Sequence, residues 1–233
     1  PAPPAVAYIF AESRSAREIE GQLSSFTGVL QVDGYQAYKT MVKRRGKSNV
    51  APMRLAFCLA HARRKFVDVV KLTGSSEALS VLARVAEIYR IEAKLRGESA
   101  DTRLVVRRRE AAPVMRELKA HLTELREEVS AKSALGKAIG YTLNHWSGLT
   151  AFLDDGRVEV DSNVVERAIR PIALGRKNHL FAGSDGGGEH WAVIASLIET
   201  CKMNGVNPQA YLRDVLARIV ARHPMGRIDD LLP

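Results

Sequence analysis

The segment LQVDGY, residues 30–35, places one carboxylate directly after an apolar run, and this junction decides how the rest of the chain is interpreted. VLQVD, residues 29–33, predicts a buried strand that ends on Asp33. The Asp-Gly pair that follows is typical of a turn. A carboxylate at the end of a central strand also lies at the sheet edge where α/β folds place their sites. From these residues alone, Asp33 is either a turn residue or a metal ligand.

The segments on either side alternate between strand and helix patterns. AVAYIF (5–10) and RLAFC (54–58) predict two further strands, and the spacing of apolar residues over 16–26 predicts a helix after Ser15. A short helix is expected over 37–42. This order predicts an α/β domain with parallel strand pairing.

The middle of the chain is helical in pattern. We expect residues 66–131 to form a helical insertion, with Pro113 kinking or restarting a helix. A further helix is expected over 132–153. The predicted division of the chain is 1–65 for the first part of the core, 66–131 for the insertion, 132–204 for the rest of the core, and 205–233 for a C-terminal helix and tail.

The last third combines helices with one glycine-rich segment. A helix is expected to begin near Asn163 and to end around Pro171. LFAGSDGGGEH, residues 180–190, predicts a turn that joins short strands. Helices are expected before Gly205 and after Asn207, which suit a C-terminal and an N-terminal cap.

Composition narrows the class of protein. The 233 residues are 46% hydrophobic and 26% charged, as in globular proteins, and no stretch is long and apolar enough to predict a membrane span. Cys58 and Cys201 match no metal spacing and are expected to be free thiols in a reducing compartment. The net charge of +9 favours a polyanionic partner, most simply nucleic acid.

Two groups of charged residues are candidates for function, each with a plain alternative. Arg63, Arg64 and Lys65 suit phosphate contacts, or else a solvated helix face. Glu166 has capping-box spacing from Asn163, yet it is the one acid in a basic stretch and therefore also suits a divalent ion beside a phosphate. The basic residues of that stretch are Arg167, Arg170, Arg176 and Lys177.

Several blocks together resemble one family. These are SSFTGVLQVDGYQAY (24–38), CLAHARRKF (58–66), DSNVVERAIRPIALGRKNHLFAGSDGGGEH (161–190) and SLIETCKMNGVNPQAYLRDVL (196–216). They resemble the insertion-sequence sixty-six family of bacterial transposases. The resemblance runs from about Ser24 to the C-terminal helix and is loose only in the insertion.

The resemblance implies an RNase H-like fold with a mixed sheet, a large helical insertion and C-terminal helices. It also implies a DDE-type enzyme, in which three carboxylates hold two Mg²⁺ or Mn²⁺ ions for DNA cleavage and strand transfer. Asp33 would be the second carboxylate and Glu166 the third, with Asp161 and Asn163 supporting the metal site. By the same resemblance Arg167, Arg170, Arg176 and Lys177 would contact DNA phosphates, in addition to the run Arg63, Arg64 and Lys65.

One part of the family pattern has no counterpart in this sequence. The first carboxylate should lie on a strand before AVAYIF, and no residue precedes Pro1. We therefore expect the first strand to be missing, one flank of the sheet to be open, and the chain alone to bind metal weakly and to catalyse little or nothing. A catalytically inactive DNA-binding remnant is the alternative to an enzyme, and a nuclease-like protein acting on RNA is a third hypothesis.

The resemblance further implies partners and location. The expected substrate is double-stranded DNA, both transposon ends and target. A homo-oligomer on two DNA ends is expected, with accessory proteins of the same element as further partners. No membrane association is expected, and the location would be the bacterial cytoplasm at the nucleoid.

Overall fold

The computed structural model describes residues 3–13, 15–46, 53–175 and 183–233. The protein is mostly helical, with 69% of its residues in helices, and it contains a small parallel sheet of two strands. By packing, the chain divides into two compact units. The larger unit is Ser15–Asn163, and the smaller unit combines Pro1–Arg14 with Val164–Pro233. The predicted boundaries at residues 66, 132 and 205 stay predictions.

The larger unit begins with the sheet and continues with a helical array. Its elements are α1 (Ala16–Gln22), β1 (Gly28–Val32), α2 (Gln36–Arg45), β2 (Met53–Phe57), α3 (Leu59–Thr73), α4 (Ser76–Lys94), α5 (Ala100–Val106), a π-helical turn (Arg107–Ala111), α6 (Ala112–Glu128), α7 (Ala134–Asn144), α8 (Trp146–Leu149) and a 3-10 turn (Ala151–Leu153).

The two strands confirm the predictions for 29–33 and 54–58. β1 and β2 pair in parallel, with Val29 opposite Arg54 and Val32 opposite Phe57. Parallel neighbours need a crossover connection, which α2 provides. The observed sheet is consistent with an α/β class, within a molecule that is otherwise helical.

The core of the larger unit is one continuous apolar cluster. It joins the sheet to the inner faces of α3, α4, α6 and α7. Its largest fully buried apolar side chains are Phe66, Phe152, Leu59, Ile88, Met115, Leu118, Leu122, Ile139, Leu149 and Val81. The helices are therefore held by burial of their apolar faces, as their 3.6-residue pattern predicts.

Local sequence explains two interruptions in the helical array. Pro113 lies at the start of α6, directly after the π-helical turn Arg107–Ala111. The expected restart of a helix at Pro113 is therefore a change from π-helical to α-helical geometry. The single helix predicted over 132–153 is wrong in its continuity, because it is broken into α7, α8 and the 3-10 turn. Gly148 packs so closely on Phe57 that a Cβ would lie 2.2 Å from the ring carbon Cδ2.

The smaller unit contains the C-terminal helices. They are α9 (Asn163–Gly175, which starts at the last residue of the larger unit), α10 (Asp185–Met203), α11 (Pro208–Val220) and a 3-10 segment (Met225–Leu231). As predicted, Asn207 caps α11: its Oδ1 accepts hydrogen bonds from the backbone N–H groups of Gln209 and Ala210, both at 3.0 Å. None of the described helices is long and apolar enough to cross a bilayer.

The strand predicted over 5–10 is wrong. The segment has no regular secondary structure, and it runs along α10. The N–H of Val6 donates to Thr200 Oγ1 at 3.1 Å, and the N–H of Tyr8 donates to Ser196 Oγ at 2.8 Å. Hydroxyl groups of α10 therefore accept the hydrogen bonds that a neighbouring strand was expected to accept.

The glycine-rich segment is also not a turn between strands over its described part, residues 183–190. Ser184 caps α10, since its Oγ accepts from the N–H of Gly187 at 3.1 Å. Gly188 lies inside the helix, where a Cβ would be 2.6 Å from the Phe10 ring. Close packing, and not a turn, therefore requires a glycine here. The predicted end of α9 near Pro171 is wrong as well, because the helix continues through that residue to Gly175.

Candidate functional site

The carboxyl ends of β1 and β2 lie at the same edge of the sheet because the strands are parallel. Asp33 follows β1 and Cys58 follows β2. The N–H of Cys58 donates to the carbonyl of Val32 at 3.4 Å. The Asp33 side chain is exposed at this edge, while Val32 before it is buried. Such an edge is where open α/β sheets bind ligands.

Asp33 forms the predicted turn with one of its carboxylate oxygens. Oδ1 accepts a 2.9 Å hydrogen bond from the N–H of Tyr35. Gly34 has φ = 94°, a left-handed conformation that favours glycine. Among the described residues no cation forms an ion pair with Asp33. The turn therefore leaves the second carboxylate oxygen and the full negative charge available at the strand end.

Three rings pack beside this turn. His145 stacks on Tyr141, with 4.2 Å between ring centroids, and meets the edge of Phe57 at 4.6 Å. The hydroxyl of Tyr141 donates to the backbone carbonyl of Asp33 at 3.3 Å. A Cβ on Gly34 would lie 2.9 Å from that hydroxyl and 3.5 Å from His145 Nε2. The rings thus fix the backbone on which the Asp33 carboxylate stands.

The two ring nitrogens of His145 have different environments. Its Nδ1 lies 2.7 Å from the carbonyl of Tyr141 and, because a carbonyl only accepts, Nδ1 carries the proton. Nε2 is buried and has no hydrogen-bond partner in the part of the chain that the structure describes. Burial lowers the pKa of His145, and the positive charges of Lys39 and Lys65 lower it further, against an opposing effect of the bond to Tyr141.

Two lysines lie against the same rings. Lys65 Nζ is 4.3 Å from the centre of the Tyr141 ring, and Lys39 Nζ is 5.5 Å from the centre of the Phe57 ring. Within the described ranges neither ammonium group has a carboxylate partner. Burial raises the pKa of Tyr141, and the Asp33 carboxylate adds to this effect. The edge therefore combines one exposed carboxylate with two cations.

The predicted basic run does not act as one patch. Arg63 and Arg64 are exposed on α3 but line a different depression from the rings that hold Lys65. This groove of about 680 Å³ is lined by Arg63, Arg64, Lys71, Asp68, Val67, Ala60, Ala86, Tyr89 and Asn163. Consecutive helix residues point about 100° apart, which explains the division.

Asp161 and Asn163 lie at the start of α9 and bind each other. Asp161 Oδ1 accepts from the N–H of Asn163 at 3.0 Å, and Oδ2 accepts from its side-chain amide at 2.6 Å. Burial raises the pKa of the nearby Tyr89 hydroxyl, and the Asp161 carboxylate contributes in the same direction. Both carboxylate oxygens of Asp161 are thus engaged, which suits a residue that orients the helix start.

Glu166 lies in the first turn of α9 and is half-buried. An acid at this position is favoured by the partial positive charge of the helix N-terminus. Arg167 and Arg170 are exposed on the same helix. Arg176 and Lys177, the other two predicted phosphate contacts, lie outside the described residues.

Sequence reasoning missed Lys39, Tyr141 and His145. Tyr141 and His145 have the i, i+4 spacing that places two rings on one helix face, which is a usable signal. Nothing local links that helix to Asp33, which precedes Tyr141 by more than a hundred positions. Lys39 lies within a predicted helix and carries no signal of its own.

Comparison with known proteins agrees with the resemblance noted above. Residues 1–190 match the model of the Transposase IS66 family, and residues 196–233 match the IS66 C-terminal element. No solved structure matches the chain.

Similar full-length proteins occur in Sinorhizobium fredii. The uncharacterized protein y4jD is 61% identical over 234 residues, which cover 100% of this chain and 46% of that protein. The uncharacterized protein y4qI is 44% identical over 238 residues, covering 99% of this chain and 43% of that protein. The chain thus spans less than half the length of these relatives.

Proposed function

The chain belongs to the IS66 family of transposases, and we propose that it forms part of a DDE-type catalytic region that cleaves DNA and transfers strands of an insertion sequence. Asp33 and Glu166 would be two of its catalytic carboxylates. The observation that carries this proposal is the position of Asp33, an exposed acid without an ion-pair partner in the described chain, at the carboxyl end of a parallel strand.

The chemistry of the donors fits a hard divalent cation. Mg²⁺ and Mn²⁺ prefer carboxylate oxygens, and Asp33 keeps one such oxygen outside its turn. Asp33 and Glu166 would hold the ions, and Asp161 with Asn163 would support them from behind. When bound, two such ions supply an activated water or DNA 3′-hydroxyl and neutralise charge on the phosphodiester.

The fold and the assembly are part of the same proposal. A parallel β1–β2 pair with an acid at its carboxyl edge suits the RNase H-like sheet that this family is expected to have. The exposed Arg63, Arg64, Arg167 and Arg170 would contact DNA phosphates, which position a duplex without reading its bases. We propose a homo-oligomer on two DNA ends, with accessory proteins of the element.

The proposal is tested by the transposition frequency in cells that express the protein from its natural reading frame. Asp33→Asn and Glu166→Gln should each lower the frequency by more than about 100-fold, because loss of a metal ligand exceeds the 10–100-fold effect of an outer-shell partner. The exposed Asp154 and Glu124 provide matched controls, as Asp154→Asn and Glu124→Gln. Transposition that survives Asp33→Asn would remove Asp33 from the chemistry.

A catalytically inactive DNA-binding protein is the second candidate. Lys39 and Lys65, which form no ion pair within the described ranges, favour it together with the groove lined by Arg63 and Arg64, since these groups could bind DNA without any metal. Under this alternative the wild-type element would not transpose, and the purified chain would still bind DNA in a salt-sensitive manner. Preference for A-form RNA duplexes over B-DNA would instead favour an RNA-directed protein.

A further inference from the structure

The surroundings of Asp33 differ from those of an ordinary surface acid. Its carbonyl accepts from Tyr141, and Tyr141 belongs to a cluster of rings and lysines from three helices and one strand: α2 brings Lys39, α3 brings Lys65, α7 with the residue after it brings Tyr141 and His145, and β2 brings Phe57. Every one of these contacts lies within the larger unit. The cluster is therefore built by the packed core and not by a loop.

The two lysines are held in place by rings and not by acids. Lys65 lies over the face of Tyr141 and Lys39 over that of Phe57, and neither has a carboxylate partner in the described chain. Such cation–ring contacts are weaker than a charge-assisted hydrogen bond to an anion. The lysines are thus positioned in advance and remain free to bind a ligand.

The remaining groups limit what that ligand can be. Lys39 and Lys65 supply positive charge to this cluster. The Tyr141 hydroxyl has one proton, which it donates to the Asp33 carbonyl, and it would turn that proton to a ligand on binding. An anion held by lysines at this ring cluster would be repelled by the nearby Asp33 carboxylate unless a divalent cation lay between them. A phosphodiester with its bound cation satisfies all of these groups.

We propose that Lys39, Lys65 and Tyr141 form a subsite that holds a DNA phosphodiester beside Asp33. This subsite rests on the proposed function and makes it more specific, since it assigns Lys65 to the reacting phosphate and Arg63 with Arg64 to another part of the DNA. It also adds Lys39 and Tyr141, which the sequence did not indicate.

The test is the affinity of the chain for a labelled mixed-sequence duplex of DNA, measured over a range of salt, with and without Ca²⁺. The variant Lys39→Met/Lys65→Met removes both cations and retains long apolar side chains. Its control is Lys119→Met/Lys132→Met, which makes the same change of charge at two exposed lysines of the larger unit. Circular dichroism verifies that each variant is folded.

We expect the Lys39/Lys65 variant to lower the slope of log affinity against log salt by about 1–2, since each phosphate contact contributes about 0.9. It should also lose the gain in affinity that Ca²⁺ gives the wild type, as should Asp33→Asn. The control should keep both. If the double variant does not fold, the single variants Lys39→Gln and Lys65→Gln replace it in the measurement. Each should show about half the change in slope.

Two results would contradict different proposals, the first only the subsite and the second also the proposed function. If the Lys39/Lys65 variant behaves like the Lys119/Lys132 control, the subsite is wrong, although DNA binding and the proposed function stand. If the wild-type chain shows no salt-dependent binding of the duplex, the proposed function fails first and the subsite fails with it.

Discussion

The larger unit holds cations in two opposite ways. Arg107 is completely buried, and its guanidinium donates to both carboxylate oxygens of Glu92, at 2.8 and 2.6 Å. It also donates to the carbonyls of Phe152, Gly156 and Val158. Lys39 and Lys65 lie against the rings of Phe57 and Tyr141 and form no ion pair within the described residues.

This difference distinguishes a cation with a structural role from cations that can bind a ligand. Arg107 joins α4 to the segment 152–158, and its hydrogen-bonding capacity is used within the protein. The lysines at the sheet edge stabilise little and keep their capacity for a ligand. A charge that the fold satisfies indicates a structural role, and a charge that the fold positions without satisfying indicates a site. The following predictions test this contrast.

The largest effect is expected at Arg107. Arg107→Met leaves Glu92 buried without its partner and should lower the free energy of unfolding by about 3–5 kcal/mol. Arg109→Met, at an exposed ion pair with Glu110, should change it by about 0–1 kcal/mol. Urea unfolding in a Trp191→Phe background reports the larger unit through the fluorescence of Trp146. Equal losses for the two arginines would refute the contrast.

A smaller loss is expected where the Asp33 turn meets the rings. Gly34→Ala requires a left-handed alanine whose Cβ lies 2.9 Å from the Tyr141 hydroxyl, and it should cost about 1–3 kcal/mol. Gly140→Ala is the matched control, since nothing lies within 4 Å of a Cβ there and alanine favours the helix. Thermal unfolding compares the two. A neutral Gly34→Ala would mean that the rings do not fix the turn.

The pH dependence of stability tests the lowered pKa of His145. Its pKa is lowered in the folded protein, so its contribution is complete above the unfolded value of about 6.5 and is lost as the pH falls through the folded value. The loss has a slope of at most about 1.4 kcal/mol per pH unit. His145→Phe keeps a ring but cannot titrate, so denaturation between pH 7 and 5 should show a shallower slope. An unchanged slope would contradict this account of His145.

The smallest effect on stability is expected for the lysines themselves. Lys39→Met/Lys65→Met should lower the free energy of unfolding by no more than about 1–2 kcal/mol, because each exposed cation–ring contact contributes about 0.5–1 kcal/mol. The same urea titration measures it beside Arg107→Met. A loss as large as that of Arg107 would make the lysines structural residues.

The sequence predicts local secondary structure better than it predicts which segments pack against one another. Both strands and the cap at Asn207 follow from short patterns, and the structure confirms them. The segment 5–10 shows the limit: its apolar run predicts a buried strand, but its backbone N–H groups donate to hydroxyls of α10. The turn predicted at the glycines of α10 is wrong for the same reason, because Phe10, which packs on Gly188, lies far away in sequence.

The candidate site was predictable only in part. Asp33 can be found from LQVDGY because a strand end and a carboxylate are adjacent in sequence. Its neighbours cannot, because Lys39, Lys65 and Tyr141 come from three separate helices. The sequence predicts that Lys65 points away from Arg63 and Arg64, because consecutive helix residues point in different directions. The packing of α3 in the core decides which of these side chains lies near the rings beside Asp33.

The most direct test of the central claim, that Asp33 stands ready to bind a divalent cation, is paramagnetic broadening of amide NMR signals by Mn²⁺. The account predicts that low Mn²⁺ first broadens the signals of Asp33, Gly34 and Tyr35, and that Asp33→Asn abolishes this selectivity. Broadening that begins instead at other exposed acids, such as Asp154, and that is the same in Asp33→Asn would contradict it.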